Sequence, residues 1–211
     1  MKNNHKTVHY MVQLALMVAV TLLMAYTPIG YIKTPILSIT LLTVPVAVAA
    51  VLLGPVGGTV CGLTFGMTSF VNVLMGTGSP LLTGLFSINP FLTFVVAVVA
   101  RVLVGLCTGL IFAGLRKNEK TKGISFYVAS FACPLLNTAF FMGFLMLFFY
   151  HAPAITSAAD KFGTTNPLML IVFMVGVQGL IEAVGCGLIA SAIGRVVYGV
   201  LRKADLLITK E

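Results

Sequence analysis

The chain has 211 residues, of which 59% are hydrophobic and only 9% charged. Soluble chains of this size carry about 25% charged residues, so a water-soluble fold is excluded and the surplus apolar side chains must face lipid. The formal charge of +8 does not point to nucleic acid, because the cations fall in short clusters between apolar runs rather than along one face.

Those apolar runs predict an all-α polytopic membrane bundle of six transmembrane helices, a single domain over residues 1–211. The first helix covers about 7–25. Its basic start, Lys2 and Lys6, looks like a signal peptide, but Tyr26, Thr27, Pro28, Ile29 and Gly30 follow without a small-x-small cleavage site. It is therefore expected to be retained. A break with Pro28, Gly30, Pro35 and one charge, Lys33, leads to a short second helix at 38–53. Pro45 within it predicts a kink or a late start. Gly54 to Gly58 forms a tight turn, and the third helix spans 57–74. The stretch 76–90 mixes glycine and proline with apolar residues and is expected to be a half-helix or capping loop. The fourth helix spans 91–115, the fifth 124–149 and the sixth 167–200, the last beginning at Pro167. The sixth exceeds the roughly 17–25 residues of a single span, so its basic end should project beyond the bilayer.

Lys and Arg cluster at Lys2 and Lys6, at Arg116, Lys117, Lys120 and Lys122, and at Arg195, Arg202, Lys203 and Lys210. Six spans put all three clusters on one side, and five or seven would split them. The opposite loops receive only Lys33 and Lys161, the latter beside Asp160. The positive-inside rule then places both termini in the cytoplasm.

Gly58, Gly62 and Gly66 recur every four residues, as do Gly105 and Gly109, and Ala15 and Ala19 on the first helix. Such stripes let helix backbones approach closely in a membrane, either inside this bundle or against a separate subunit. Arg101 and Glu182 lie deep in the fourth and sixth helices. An ionised group facing lipid at that depth costs several kcal/mol, so each must meet the other or a polar substrate. Gln178 precedes Glu182 by one turn on the same face. Asn137 and Asn72 must likewise find a helix partner or a ligand. Asn89 and Asn166 precede Pro90 and Pro167 and suit helix capping. Cys61, Cys107, Cys133 and Cys186 sit singly in apolar runs as buried hydrophobes. No metal spacing, Ser–His–Asp set, paired carboxylates or Walker loop occurs, so neither catalysis nor a cofactor is expected, and any ATP-driven work falls to a partner.

Several segments together resemble a known family. They are Thr27-Pro28-Ile29-Gly30 followed by Ile32-Lys33, then Val51 to Gly58, then Gly62 to Phe70. Arg101 to Leu106 and Glu182 complete the pattern. In order and spacing they are similar to the substrate-binding S component of energy-coupling-factor (ECF) vitamin transporters, over about residues 10–200. The resemblance implies a prokaryotic plasma-membrane protein whose six helices hold a vitamin pocket open to the outside. It also implies a lid formed by 26–39, in which Tyr31 and Lys33 are candidate contacts beside Asn72, Arg101, Asn137, Gln178 and Glu182. Ala15 and Ala19 match the family's A-x-x-x-A docking motif for a transmembrane coupling subunit that works with two ATPases, although Leu23 stands at the next position of that pattern. The Pro-Ile-Gly loop and the Gly-Pro turn are most similar to the pantothenate group. Thiamin-precursor, nicotinate and cobalamin groups share much of the pattern. A stand-alone secondary transporter and a membrane scaffold are the readings outside the family.

Overall fold

A computed structural model describes residues 2–33, 38–153, 155–157, 163 and 166–203. Positions 34–37 of the first loop, Asp160, Lys161 and Lys210 lie outside the described residues. The elements are α1 (Lys2–Tyr26), β1 (Tyr31–Lys33), β2 (Ser38–Thr40), α2 (Thr43–Leu74), α3 (Pro80–Ile88), α4 (Pro90–Phe94), α5 (Ala100–Arg116), α6 (Glu119–Lys122), α7 (Ser125–Phe149) and α8 (Pro167–Lys203). Among the described residues five stretches are long and apolar enough to cross a membrane: Thr7–Tyr26, Thr43–Leu74, Pro90–Arg116, Ser125–Phe149 and Gly179–Leu201.

The second of these is not one rod. Gly54 inside α2 has φ 75° and ψ −165°, a conformation that L side chains rarely adopt and glycine adopts readily. Pro55 follows and cannot donate the hydrogen bond that would continue the helix. The chain therefore turns back on itself. A Cβ placed on Gly58 would lie 2.9 Å from the Ala50 Cβ, whereas eight residues of unbroken helix separate atoms by about 12 Å. Residues 43–53 and 55–74 are thus two helical segments folded back toward each other at Gly54. Every residue from Thr43 to Gly54 is buried, so the first segment forms the axis of the bundle.

The start of that axis differs from the expected second helix at 38–53. Residues 38–40 form a strand, paired antiparallel with β1 in the register Tyr31↔Thr40 and Lys33↔Ser38. The helix begins only at Thr43, which puts Pro45 in its first turn. Backbone N–H groups there have no intrahelical acceptor in any case, so the proline costs little.

The glycine stripe faces α5 and the turn before it. A Cβ on Gly58 would run into the Gly105 carbonyl, one on Gly62 into the Arg101 carbonyl, and one on Gly66 would lie 2.8 Å from the Val98 Cα. The pairs run in opposite directions along the two helices, an antiparallel contact with no side chain between the backbones. Gly105→Ala is expected to destabilise the protein by about 1–3 kcal/mol through overpacking, because the obstacle is backbone. Gly84→Ala, where a Cβ meets nothing within 4 Å, serves as the control. Equal thermal midpoints of the two variants in detergent would contradict this contact.

Between α4 and α5 the helix widens into a π-type turn at Val95–Val99. Ser79 and Asn89 cap α3 and α4 by accepting the N–H groups of Leu82 and Leu92 at 3.4 and 3.1 Å, each ahead of a proline in the first turn. The stretch 76–90 thus holds a true short helix. Cys133 and Cys186 donate weakly to the carbonyls of Thr43 and Thr40, each at 3.5 Å, which ties α7 and α8 to the start of the axis.

Candidate functional site

One cavity of about 600 Å³ opens among the end of α1, the hairpin, the second half of α2, α3, α5, α7 and α8. That volume falls within the range of pockets that enclose small molecules. Tyr31, Asn72, Arg101, Asn137 and Glu182 all line it. These five come from five elements far apart in sequence, and the bundle brings them together. Lys33 lies on β1 and Gln178 on α8, but their side chains fall outside the described residues.

Arg101 is 6% exposed, and its position follows from the π-type turn. A widened turn shifts backbone carbonyls out of their usual i to i+4 pairing. The Arg101 Nη1 donates back to two of them, Val96 O at 3.1 Å and Ala97 O at 2.9 Å. Its guanidinium also lies over the rings of Phe65 and Phe141, 4.9 and 5.0 Å from their centroids, where cation–π attraction offsets part of the lost hydration. The group is held on three sides while bordering the cavity.

Glu182 is 7% exposed. Its Oε2 accepts the Thr40 N–H at a long 3.5 Å. No ion pair between Arg101 and Glu182 forms within 4 Å among the described residues, so the two charges share a cavity without neutralising each other by contact. Buried polar atoms normally find a partner. Among the described residues five buried side-chain atoms have none in the protein, and three of these, Arg101 Nε, Asn137 Oδ1 and Glu182 Oε1, belong to residues lining this one cavity. Arg101 brings a cationic donor, and Asn137 and Glu182 bring acceptors, to the border of a shared space, although the three unpartnered atoms themselves have almost no accessible surface; Phe141, Met142, Leu82 and Val175 supply apolar wall.

The hairpin closes one side. The hydroxyl groups of Tyr31 and Ser69 lie 2.9 Å apart, joining β1 to α2 across the cavity wall. Burial raises the Tyr31 phenol above its ordinary value, with the Ser69 hydrogen bond opposing the shift, so the group stays protonated at neutral pH. Thr40, Ser69, Ser79 and Thr138 also line the cavity; Ser69 among them lies within a segment that carries the family resemblance. No group of three or more His, Cys, Asp or Glu residues that could hold a metal ion occurs among the described residues.

At the outer surface of α1, Ala15 and Ala19 are both exposed, beside the exposed Met11, Val12, Leu16 and Leu23. They are remote from the cavity, which α1 reaches only at Ala25 and Tyr26.

Residues 9–194 match the family model described as ECF transporter, substrate-specific component. The chain belongs to this family. No match is found among curated proteins. As an S component the protein is a membrane-embedded, non-catalytic subunit for substrate uptake, which displaces the scaffold reading. The cavity is the candidate substrate site of this S component.

Proposed function

We propose that this S component captures pantothenate from outside the cell and delivers it through a transmembrane coupling subunit powered by two ATPases. The reading is carried by Arg101, Asn137 and Glu182 bordering one cavity, each with a buried polar atom that no protein group satisfies. Pantothenate has a carboxylate at one end, an amide in the middle and hydroxyls at the other end. A guanidinium suits the carboxylate, and the two acceptors suit the amide N–H and the hydroxyls. The volume of about 600 Å³ favours a vitamin of this size over a corrinoid such as cobalamin. Nicotinate would satisfy Arg101 but has no hydroxyl or amide hydrogen for the two acceptors.

A second reading is favoured by Glu182 alone. Its carboxylate would also pair with the amino group of a thiamin precursor. Titration of the isolated protein with pantothenate, nicotinate and an aminopyrimidine thiamin precursor separates the readings, and mass spectrometry of any co-purifying molecule adds an independent check. Pantothenate is expected to bind tightest. A co-purified mass of another vitamin, with no heat of binding from pantothenate, overturns the assignment.

We further propose six spans with both termini in the cytoplasm. Support comes from the reversal at Gly54, which supplies the extra segment. It comes also from Arg116, Lys122 and Arg195, which line one groove and so bring two basic clusters to one end. A cysteine at Asn118 in a cysteine-free background is expected to react with an impermeant reagent only after the cells are opened. Labelling from outside intact cells would exclude this topology.

A further inference from the structure

The cavity has a closed end and an open one, and its lining changes character between them. Arg101, Asn137 and Glu182 stand at the closed end, each at most 7% exposed. The Arg101 backbone packs on Gly62 of α2, about two helical turns before Ser69 and about four before Met75, which also line the cavity. One turn further in than Asn137 and Glu182, the buried Cys133 and Cys186 donate to the carbonyls of Thr43 and Thr40, so packed protein forms the floor. At the other end Tyr26, Thr27, Met75 and Thr77 line the cavity and are exposed. They form its mouth.

We propose that the substrate lies along this axis with its carboxylate on the floor and its terminal hydroxyl at the mouth. The accepted class is then hydroxy-amide acids with a free carboxylate, open to enlargement only at the hydroxyl end. This inference rests on the pantothenate reading and adds the direction in which the molecule is held.

The order of groups along the cavity carries it. Among the described residues that line the cavity, only Arg101 and Glu182 bear charge, and both are at the floor. A carboxylate leaving water needs a cationic partner, and the lining offers one there and not at the mouth. Asn137 and Glu182 come next, as acceptors for the amide N–H and the hydroxyl beside it. Leu82, Phe141, Met142 and Val175 follow, members of one apolar cluster that suits the two methyl groups of the next carbon. Asn72, Thr77 and Ser79 at the mouth are uncharged hydrogen-bonding residues, fit for the terminal hydroxyl. The reversed pose fails at both ends. It sets the carboxylate among uncharged residues, and it brings the methyl groups toward the floor, where Arg101 and Glu182 are left without charged or polar partners.

The test is isothermal titration of the isolated subunit with four probes: pantothenate, its terminal-hydroxyl benzyl ether, pantothenol and N-pentyl pantothenamide. The last two are both neutral, so their comparison isolates enlargement at the carboxylate end from loss of charge. The pentyl amide is expected to bind at least about tenfold more weakly than pantothenol, because the floor has no room for it. The benzyl ether should keep most of the affinity of pantothenate. A second measurement uses the bromoacetyl ester of the terminal hydroxyl, with the wild type as control, since none of its cysteines lines the cavity among the described residues. The ester should alkylate Thr77→Cys, with protection by excess pantothenate, and should spare Thr138→Cys, which lies beside Asn137 near the floor. If pantothenate gives no heat at all, the reading beneath this one falls and takes it along. If pantothenate binds but the benzyl ether does not, while the pentyl amide matches pantothenol, the direction alone is overturned. Alkylation at 138 in place of 77 overturns it as well.

Discussion

Replacing Arg101 with Gln is expected to weaken binding of pantothenate by about 100-fold, roughly 3 kcal/mol, while costing its neutral alcohol analogue far less. The difference follows from what the side chain does. Its Nη1 is committed to the carbonyls of Val96 and Ala97, whereas Nε has no partner and the residue lines the cavity. Loss of the first role loosens the π-type turn and penalises every ligand alike. Loss of the second penalises only a ligand with a carboxylate. The ratio of the two affinities therefore isolates the charge contact from any general damage, and isothermal titration measures it directly. Arg101→Lys keeps the charge without the planar fork and should recover only part of the ratio. Equal losses for acid and alcohol would remove Arg101 from the binding site and leave it as a brace for the helix.

The double replacement Ala15→Leu with Ala19→Leu should abolish most transport and leave binding by the isolated subunit intact. Both alanines are exposed on α1, and neither lines the cavity, so the added side chains have nothing to disturb within the bundle. What they would disturb is approach by another helix, since small residues four apart let membrane helices pack backbone to backbone. Gly58, Gly62 and Gly66 already use that principle internally against Gly105, Arg101 and Val98. The alanines offer the same kind of surface with nothing of this chain upon it among the described contacts. Wild-type uptake and complex formation by the double variant would refute docking through this face.

The contrast between these stripes explains part of what the sequence conveys. A four-residue repeat of small residues announces close packing but not the identity of the partner, which only the fold can supply. The turn at Gly54 is legible because glycine followed by proline has few other uses. The hairpin is not, since Tyr31–Lys33 and Ser38–Thr40 are too short for a period of two to stand out. Nor is the π-type turn, because Val95 to Val99 is apolar at every position and carries no periodicity to interrupt. Within the site, the charged and amide residues attract notice through the cost of burying them. Hydroxyl residues do not. Thr59 and Thr64 satisfy themselves on carbonyls one turn back, at 2.7 and 3.0 Å, as threonines in helices commonly do. Ser69 and Thr138 look the same in sequence yet face the cavity. The Arg101–Glu182 pairing left open by sequence has a similar origin: depth in two helices is readable, but the separation of their heads is not.

The reversal at Gly54 bears on how the protein is made. Residues 43–53 touch almost no lipid once folding is complete, yet they must enter the bilayer during synthesis before their neighbours exist. At about 16 Å the segment is only half the hydrocarbon thickness, so it cannot hold a transmembrane position alone. On the six-span topology proposed above, it goes in together with residues 55–74 as a helical hairpin, exposed on the flank that α5, α7 and α8 later cover. Those helices emerge last. Until they do, the central axis of the bundle is a hydrophobic surface waiting in the membrane, and a nascent chain truncated before α8 would present it to whatever insertion factor or neighbouring protein lies closest.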